Sequence, residues 1–198
     1  MLLYDSRVSG NCYKVRLLLA QLGIQTDRHE VDVVHRKGRA ELLGALNPGL
    51  RVPTLVLDDG RPLAESNAIL WYFADRTPYL PADAYDRAKV LQWMCFEQYN
   101  HEPNIAVVRF WVLFAPVPPS QADLDARRTA GYAALDAMEG HLATAEFLVG
   151  DRYTIADIAL YAYSHVAHEA GFDLSTYPGI TAWLERVSRQ PGHIPITA

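Results

Sequence analysis

The chain changes character at Thr77-Pro78-Tyr79-Leu80-Pro81, and this break constrains its fold more than any other stretch. Prolines at 78 and 81 remove two amide donors and fix their own φ near about −65°, so neither a helix nor a strand ladder runs through them. Before the break, short apolar runs alternate with helical spacing. After it, helical spacing dominates. A chain of 198 residues therefore reads as two domains, residues 1–77 and 84–198, with a linker at 78–83.

The first part reads as mixed α/β. Leu2-Leu3-Tyr4 is a short strand. From Tyr13 to Leu22 the residues Val15, Leu18, Leu19 and Leu22 recur at helical spacing, and Gly23 supplies a stop. Alternation over His29–Val34 predicts a second strand, and Arg39–Leu46 a short helix ending before Asn47-Pro48-Gly49. Thr54–Leu57 predicts a strand turned by Asp59-Gly60 onto Leu63-Ala64, and Ser66 is the expected cap of a helix carrying Ile69, Leu70 and Phe73. The resulting order, β-α-β-α-β-β-α with a terminal hairpin, is the thioredoxin-like arrangement.

The second part reads as all helical. Helices are expected over Asp83–Asn100, onward from an interruption at Pro103 to about Phe114, and over Gln121–Ala143. Thr154-Ile155-Ala156-Asp157 resembles a capping box, with aspartate in the place of Glu or Gln, opening a helix to Ala170 that Gly171 ends. A final helix follows Pro178. Cys95, among apolar neighbours in the first of these helices, is expected in the core.

Several function classes are excluded. A net charge of −5 and no basic stripe argue against nucleic-acid binding. No apolar run approaches the ~18 residues that span a bilayer, so no membrane partner is expected. The opening Met1–Asp5 turns polar too soon for a secretory signal. The two cysteines, Cys12 and Cys95, make no disulfide framework, which fits a reducing cytoplasm. His165, His168 and Glu169 share a helix face but lack the His-Glu-x-x-His order, so no metal is expected.

Three weak signals fall at consistent points of the first domain. Ser9-Gly10-Asn11-Cys12 occupies a strand-to-helix turn where a dithiol redox protein carries Cys-x-x-Cys; here the first sulfur is replaced by a hydroxyl. Such a turn holds a thiolate supplied by a bound cosubstrate but cannot begin dithiol exchange. Cys12 at the helix start reads either as a favoured thiolate or as packing beneath the turn. Val52-Pro53 precedes a strand, where a cis bond would expose the Val52 main chain to an extended peptide. Glu65-Ser66 enters a helix, where backbone amides and a hydroxyl suit a carboxylate and Glu65 suits an ammonium.

Over nearly its full length the chain resembles the cytosolic glutathione S-transferases, on five stretches together. These are Ser9-Gly10-Asn11-Cys12-Tyr13-Lys14-Val15, similar to the Ser-x-x-Cys-x-x-Val of the serine-type theta and delta classes, Asn47–Leu55, Glu65–Ile69, Thr154–Asp157, and Tyr177–Ile180 with Trp183-Leu184. The resemblance implies a thioredoxin-like domain followed by an all-α domain. It also implies a homodimer, and transfer of the sulfur of glutathione, as cosubstrate rather than cofactor, to a small hydrophobic electrophile. Ser9 would be the catalytic donor to that sulfur. Val52 and Pro53 would hold the cysteinyl backbone, and Glu65 with Ser66 the γ-glutamyl end. Delta-type proteins commonly carry a histidine where Leu50 stands, which leaves Arg51 as the expected partner of the glycine carboxylate. Beta-type relatives use a cysteine aligned roughly with Asn11, so Asn11 or Cys12 is left open as sharing the role of Ser9. Glutathione-dependent disulfide or peroxide reduction and non-catalytic binding are the alternatives. Zeta-class isomerases show Ser-Ser-Cys-Ser at the turn, which this chain lacks. Tyr99, Arg109, Phe110 and Trp111 are expected near the electrophile and carry no assigned role.

Overall fold

Leu2–Asp5 forms strand β1, and Gly10–Gln21 forms helix α1. In the computed structural model, which describes residues 1–198, there follow β2 (Asp27–Glu30), α2 (Arg39–Leu43), β3 (Thr54–Val56), β4 (Pro62–Ala64) and α3 (Ser66–Ala74). The strands make one mixed sheet in the order β2-β1-β3-β4. β2 lies parallel to β1 with Leu2 opposite Asp27, while β3 runs antiparallel to both β1 and β4. Leu3, Val15, Leu19, Leu55 and Ile69 form the buried core between sheet and helices, ringed by Met1, Ile24, Leu57, Leu63 and Phe73. Full burial of each such side chain contributes about 1.5–3 kcal/mol.

Some expectations shift. The second strand is Asp27–Glu30, not His29–Val34, because β1 ends at Asp5 and its ladder ends with it. Every side chain of β2 is exposed, so alternation could not mark it. Val31 is instead the first residue past the strand, buried, its N–H donating to Asp5 O at 2.8 Å. The second helix stops at Leu43 rather than Leu46. Ser66 is the first residue of α3, not its cap; Glu65 holds the cap position.

The remaining helices are α4 (Ala84–Phe96), α5 (Glu102–Phe114), α6 (Gln121–Leu142), α7 (Ile155–Ser164) and α8 (Pro178–Ser188). No loop interrupts at Pro103. A π turn, Glu97–His101, carries α4 directly into α5, with Glu102 N–H reaching back to Glu97 O, and the proline falls in the first turn of α5 where its missing donor is tolerated. The helix expected to reach Ala170 ends at Ser164, and a short 3₁₀ turn, Ala167–Ala170, closes on Gly171 at φ 81°. Cys95 is exposed on α4, contrary to the expected core position. Its apolar neighbours along the chain, Trp93 and Met94, point inward and leave it on the outer side.

The chain divides into two compact units, Met1–Thr77 with Pro191–Ala198, and Pro78–Gln190. The last eight residues, expected with the helical domain, thus join the first unit. Tyr13 Oη donates to Ile194 O at 2.7 Å, Arg16 Nη2 to Ile196 O at 2.6 Å and Arg28 Nη1 to Ala198 O at 2.8 Å. Gly192 has φ 72°, and a Cβ there would sit 3.0 Å from the Gln21 Cα, so glycine lets this strap lie close on α1.

Candidate functional site

β1 delivers the chain into a turn whose last residue, Ser9, caps α1 in extended geometry, φ −83° and ψ 120°. Its Oγ accepts from Cys12 N–H at 3.3 Å, and its carbonyl accepts from Tyr13 N–H at 2.9 Å. Having accepted from the backbone, the half-buried hydroxyl keeps its proton to donate. The positive end of a twelve-residue helix lies directly behind it.

Asn11 and Ser66 stand at the starts of two packed helices, α1 and α3. Ser66 Oγ donates to Asn11 Oδ1 at 3.2 Å and accepts from Lys14 Nζ at 3.4 Å. The turn expected to hold a sulfur and the turn expected to hold a γ-glutamyl group are therefore one cluster. Glu65, just before, is exposed at φ 66° and ψ 115°, a conformation costing about 1–3 kcal/mol and typical of ligand sites. The Glu65 carboxylate makes no capping hydrogen bond to the first amides of α3.

The Val52-Pro53 bond is cis, as expected. Val52 precedes β3, whose ladder begins at Thr54, so its main chain lies beside the ladder rather than in it. Asn47 organises this loop, donating from Nδ2 to Arg51 O and Thr54 Oγ1, both at 3.0 Å. The Arg51 side chain is exposed. With Arg36 it crowds Arg39, whose pKa is lowered first by burial and then by these neighbouring cations. Arg39 itself braces the loop, donating to Leu50 O at 3.4 Å and Val33 O at 3.2 Å. Leu50 adopts φ 50°.

Cys12 has no exposed surface. Burial, aided by Asp5, pushes its thiol far above the ordinary range, so it is a neutral packing residue beneath the turn rather than a thiolate. Of the second-unit residues, Arg109 is turned onto Glu169 at 2.6 Å, Tyr99 is exposed, and Phe110 packs on Phe114. His165 Nδ1 lies 2.7 Å from Tyr161 O and Glu169 is taken by Arg109, so the shared face noted in the sequence is divided between separate contacts.

Residues 8–76 match the glutathione S-transferase N-terminal domain and residues 76–191 the C-terminal domain. The chain belongs to the glutathione S-transferase family. A glutathione S-transferase crystal structure from Pseudomonas fluorescens is 47% identical, with a TM-score of 0.95 over 100% of this chain and 98% of its own. Glutathione S-transferase 3 of Zea mays is 30% identical over 96% of this chain and 89% of its own. The disulfide-bond oxidoreductase YfcG of Escherichia coli is 28% identical over 91% and 87%.

Lys14 is the member of this cluster that sequence reasoning missed, as it missed Arg36 and Arg39 beside Arg51 in the loop before β3. Lys14 had a visible signal. It stands three and four residues before Leu17 and Leu18, a charge set into the apolar stripe of a buried helix.

Proposed function

We propose that this chain is a glutathione transferase that binds the tripeptide across the adjoining starts of α1 and α3. The observation that carries this reading is the hydrogen bond from Ser66 to Asn11, which joins the two subsites. The γ-glutamyl carboxylate is taken by Ser66 and the first amides of α3, and its ammonium by Glu65. Val52 pairs with the cysteinyl backbone beside cis-Pro53, and Arg51 faces the glycine carboxylate. The Ser9 hydroxyl donates to the sulfur. A free thiol of pKa about 8.5 is only a few per cent ionised at neutral pH. Lowering it two units takes about 2.7 kcal/mol, within reach of one charge-assisted bond of ~1.5–3 kcal/mol and a helix end of ~0.3–1 kcal/mol. The thiolate then attacks a hydrophobic electrophile, the new carbon–sulfur bond forms, the leaving group departs with its electron pair, and the thiol proton passes to solvent. Such chemistry disarms reactive compounds, and we place it in the cytoplasm, in a homodimer. No helix is long and apolar enough to cross a membrane, and Tyr85, Leu91 and Tyr99 leave apolar surface along α4 and the π turn.

Conjugation of a general aromatic electrophile by wild type and Ser9→Ala tests it. Turnover is expected in wild type, with kcat/KM reduced about 10–100-fold in the variant, the equivalent of the lost bond. Undiminished turnover removes Ser9 from the role, and retention on glutathione-agarose without any turnover favours a binding protein.

The similarity to the YfcG oxidoreductase favours glutathione-dependent disulfide reduction as a second reading. With Cys12 buried and neutral, the α1 turn supplies no thiolate of its own. The bound glutathione would attack the glutathionyl sulfur of a mixed disulfide, forming glutathione disulfide and releasing the other half as a thiol. Reduction exceeding conjugation, and unchanged in Cys12→Ala, is the expected sign of this reading.

A further inference from the structure

Lys14 is placed by α1 against the start of α3 with none of its surface exposed. Enclosing a lysine side chain is costly, and buried charges are kept where they meet polar or oppositely charged groups. Arg16, two residues on, is enclosed as well but is turned onto the Asp5 carboxylate at 2.5 Å and onto main-chain oxygens of Ser6 and Ile196. Among the contacts of Lys14 is one across the two helix starts, Nζ donating to the hydroxyl of Ser66 at 3.4 Å.

The order of donors matters. Lys14 Nζ gives a proton to Ser66 Oγ, and Ser66 gives its own proton to Asn11 Oδ1. A cation on the acceptor side polarises the hydroxyl and strengthens its donation. The proton that Asn11 takes in the free protein is thus a strengthened donor at the mouth of the site. A carboxylate arriving at Ser66 can receive that proton, with a positive charge fixed just behind it.

We infer that Lys14 is the charge-selecting residue of this site, acting through Ser66 to favour ligands that carry a carboxylate on the γ-glutamyl carbon. This rests on the glutathione reading and deepens it. The charge comes from inside the helix packing, where water does not screen it as it would a surface arginine.

Isothermal titration of wild type and Lys14→Met, with glutathione and with γ-aminobutyryl-cysteinyl-glycine, tests the inference. The second peptide keeps the thiol and the glycine end and lacks only the carboxylate in question. Wild type is expected to prefer glutathione, and Lys14→Met to lose at least about ten-fold in glutathione affinity, about 1.4 kcal/mol. Its affinity for the truncated peptide is expected to stay within about two-fold, since no charged partner is lost there. Lys14→Arg, which keeps the charge, is expected to restore part of the preference. Equal weakening toward both peptides, or an unchanged preference in Lys14→Met, overturns the inference while leaving glutathione binding intact. Failure of wild type to bind either peptide overturns the glutathione reading itself, and this inference with it. If Lys14→Met does not fold, the wild-type complex decides. A ligand carboxylate on Ser66 with Nζ within about 6 Å supports the inference, and a carboxylate elsewhere overturns it.

Discussion

Two helix starts in this chain solve the same problem in opposite ways. At α7, Thr154 Oγ1 accepts from Ala156 N–H, and the Asp157 carboxylate receives Thr154 N–H at 2.8 Å, Leu148 N–H at 3.0 Å and the Trp183 indole at 2.9 Å. Both cap residues are fully enclosed. At α1 a single half-buried serine holds one backbone amide at 3.3 Å and keeps its proton. A helix start saturated by its own chain is a structural joint. One that keeps donors turned outward can meet a ligand, and the difference is written in the cap rather than in the helix.

The comparison is easiest to break at α7. Asp157→Ala strands four donors in the interior, the Thr154 hydroxyl among them, so a loss of about 3–5 kcal/mol is expected, or about 6–20 °C in thermal melting at ~2–4 °C per kcal/mol. A melting temperature within about 3 °C of wild type would mean that the joint carries little of the unit's stability. Ser9→Ala should show the reverse pattern. Its melting should fall by no more than a cap is worth, about 0.5–2 kcal/mol, while conjugation suffers the loss described above. A Ser9→Ala protein that melts as early as Asp157→Ala would erase the distinction between joint and site.

The thiols sharpen it further. Cys12 is enclosed with a raised pKa, and Cys95 is exposed. Native protein should therefore take up one equivalent of a maleimide at pH 7.5 and unfolded protein two, with Cys95→Ser abolishing the native reaction. Rapid uptake of two equivalents would mean that the α1 turn opens readily.

The smallest effect concerns His193, which lies 3.2 Å from Tyr13 Oη and whose pKa is lowered by burial. A depressed histidine pKa means that its contribution is present above the unfolded value of about 6.5 and is lost as pH falls through the folded one. Resonances of residues 194–198 should move toward unfolded positions on acidification below about pH 6.5, and His193→Asn should flatten that response. A strap indifferent to pH in wild type would remove His193 from its anchoring.

Much of this was legible in the residues. Leu3, Val15, Leu19 and Ile69 announced their elements because each packs one face, and the cap at Thr154 with its aspartate three residues on announced α7. The Asp27–Glu30 strand was not legible, since a wholly exposed edge strand carries no apolar rhythm. The π turn was not either. Pro103 looks like a breaker in sequence and becomes harmless only once the preceding turn has widened. At the site, Ser9, cis-Pro53 and the Glu65-Ser66 step were visible from turn chemistry. Lys14 and Asn11 meeting Ser66 were not, because that contact depends on how α1 and α3 pack.

The strap of residues 191–198 has a consequence for how the molecule is made. Tyr13 and Arg16 find the Ile194 and Ile196 carbonyls only after the whole of the second unit has been synthesised. As the chain leaves the ribosome, the first unit thus waits for its last fastening. An isolated 1–77 fragment would lack both carbonyls, leaving Arg16 to Asp5 and the Ser6 main chain.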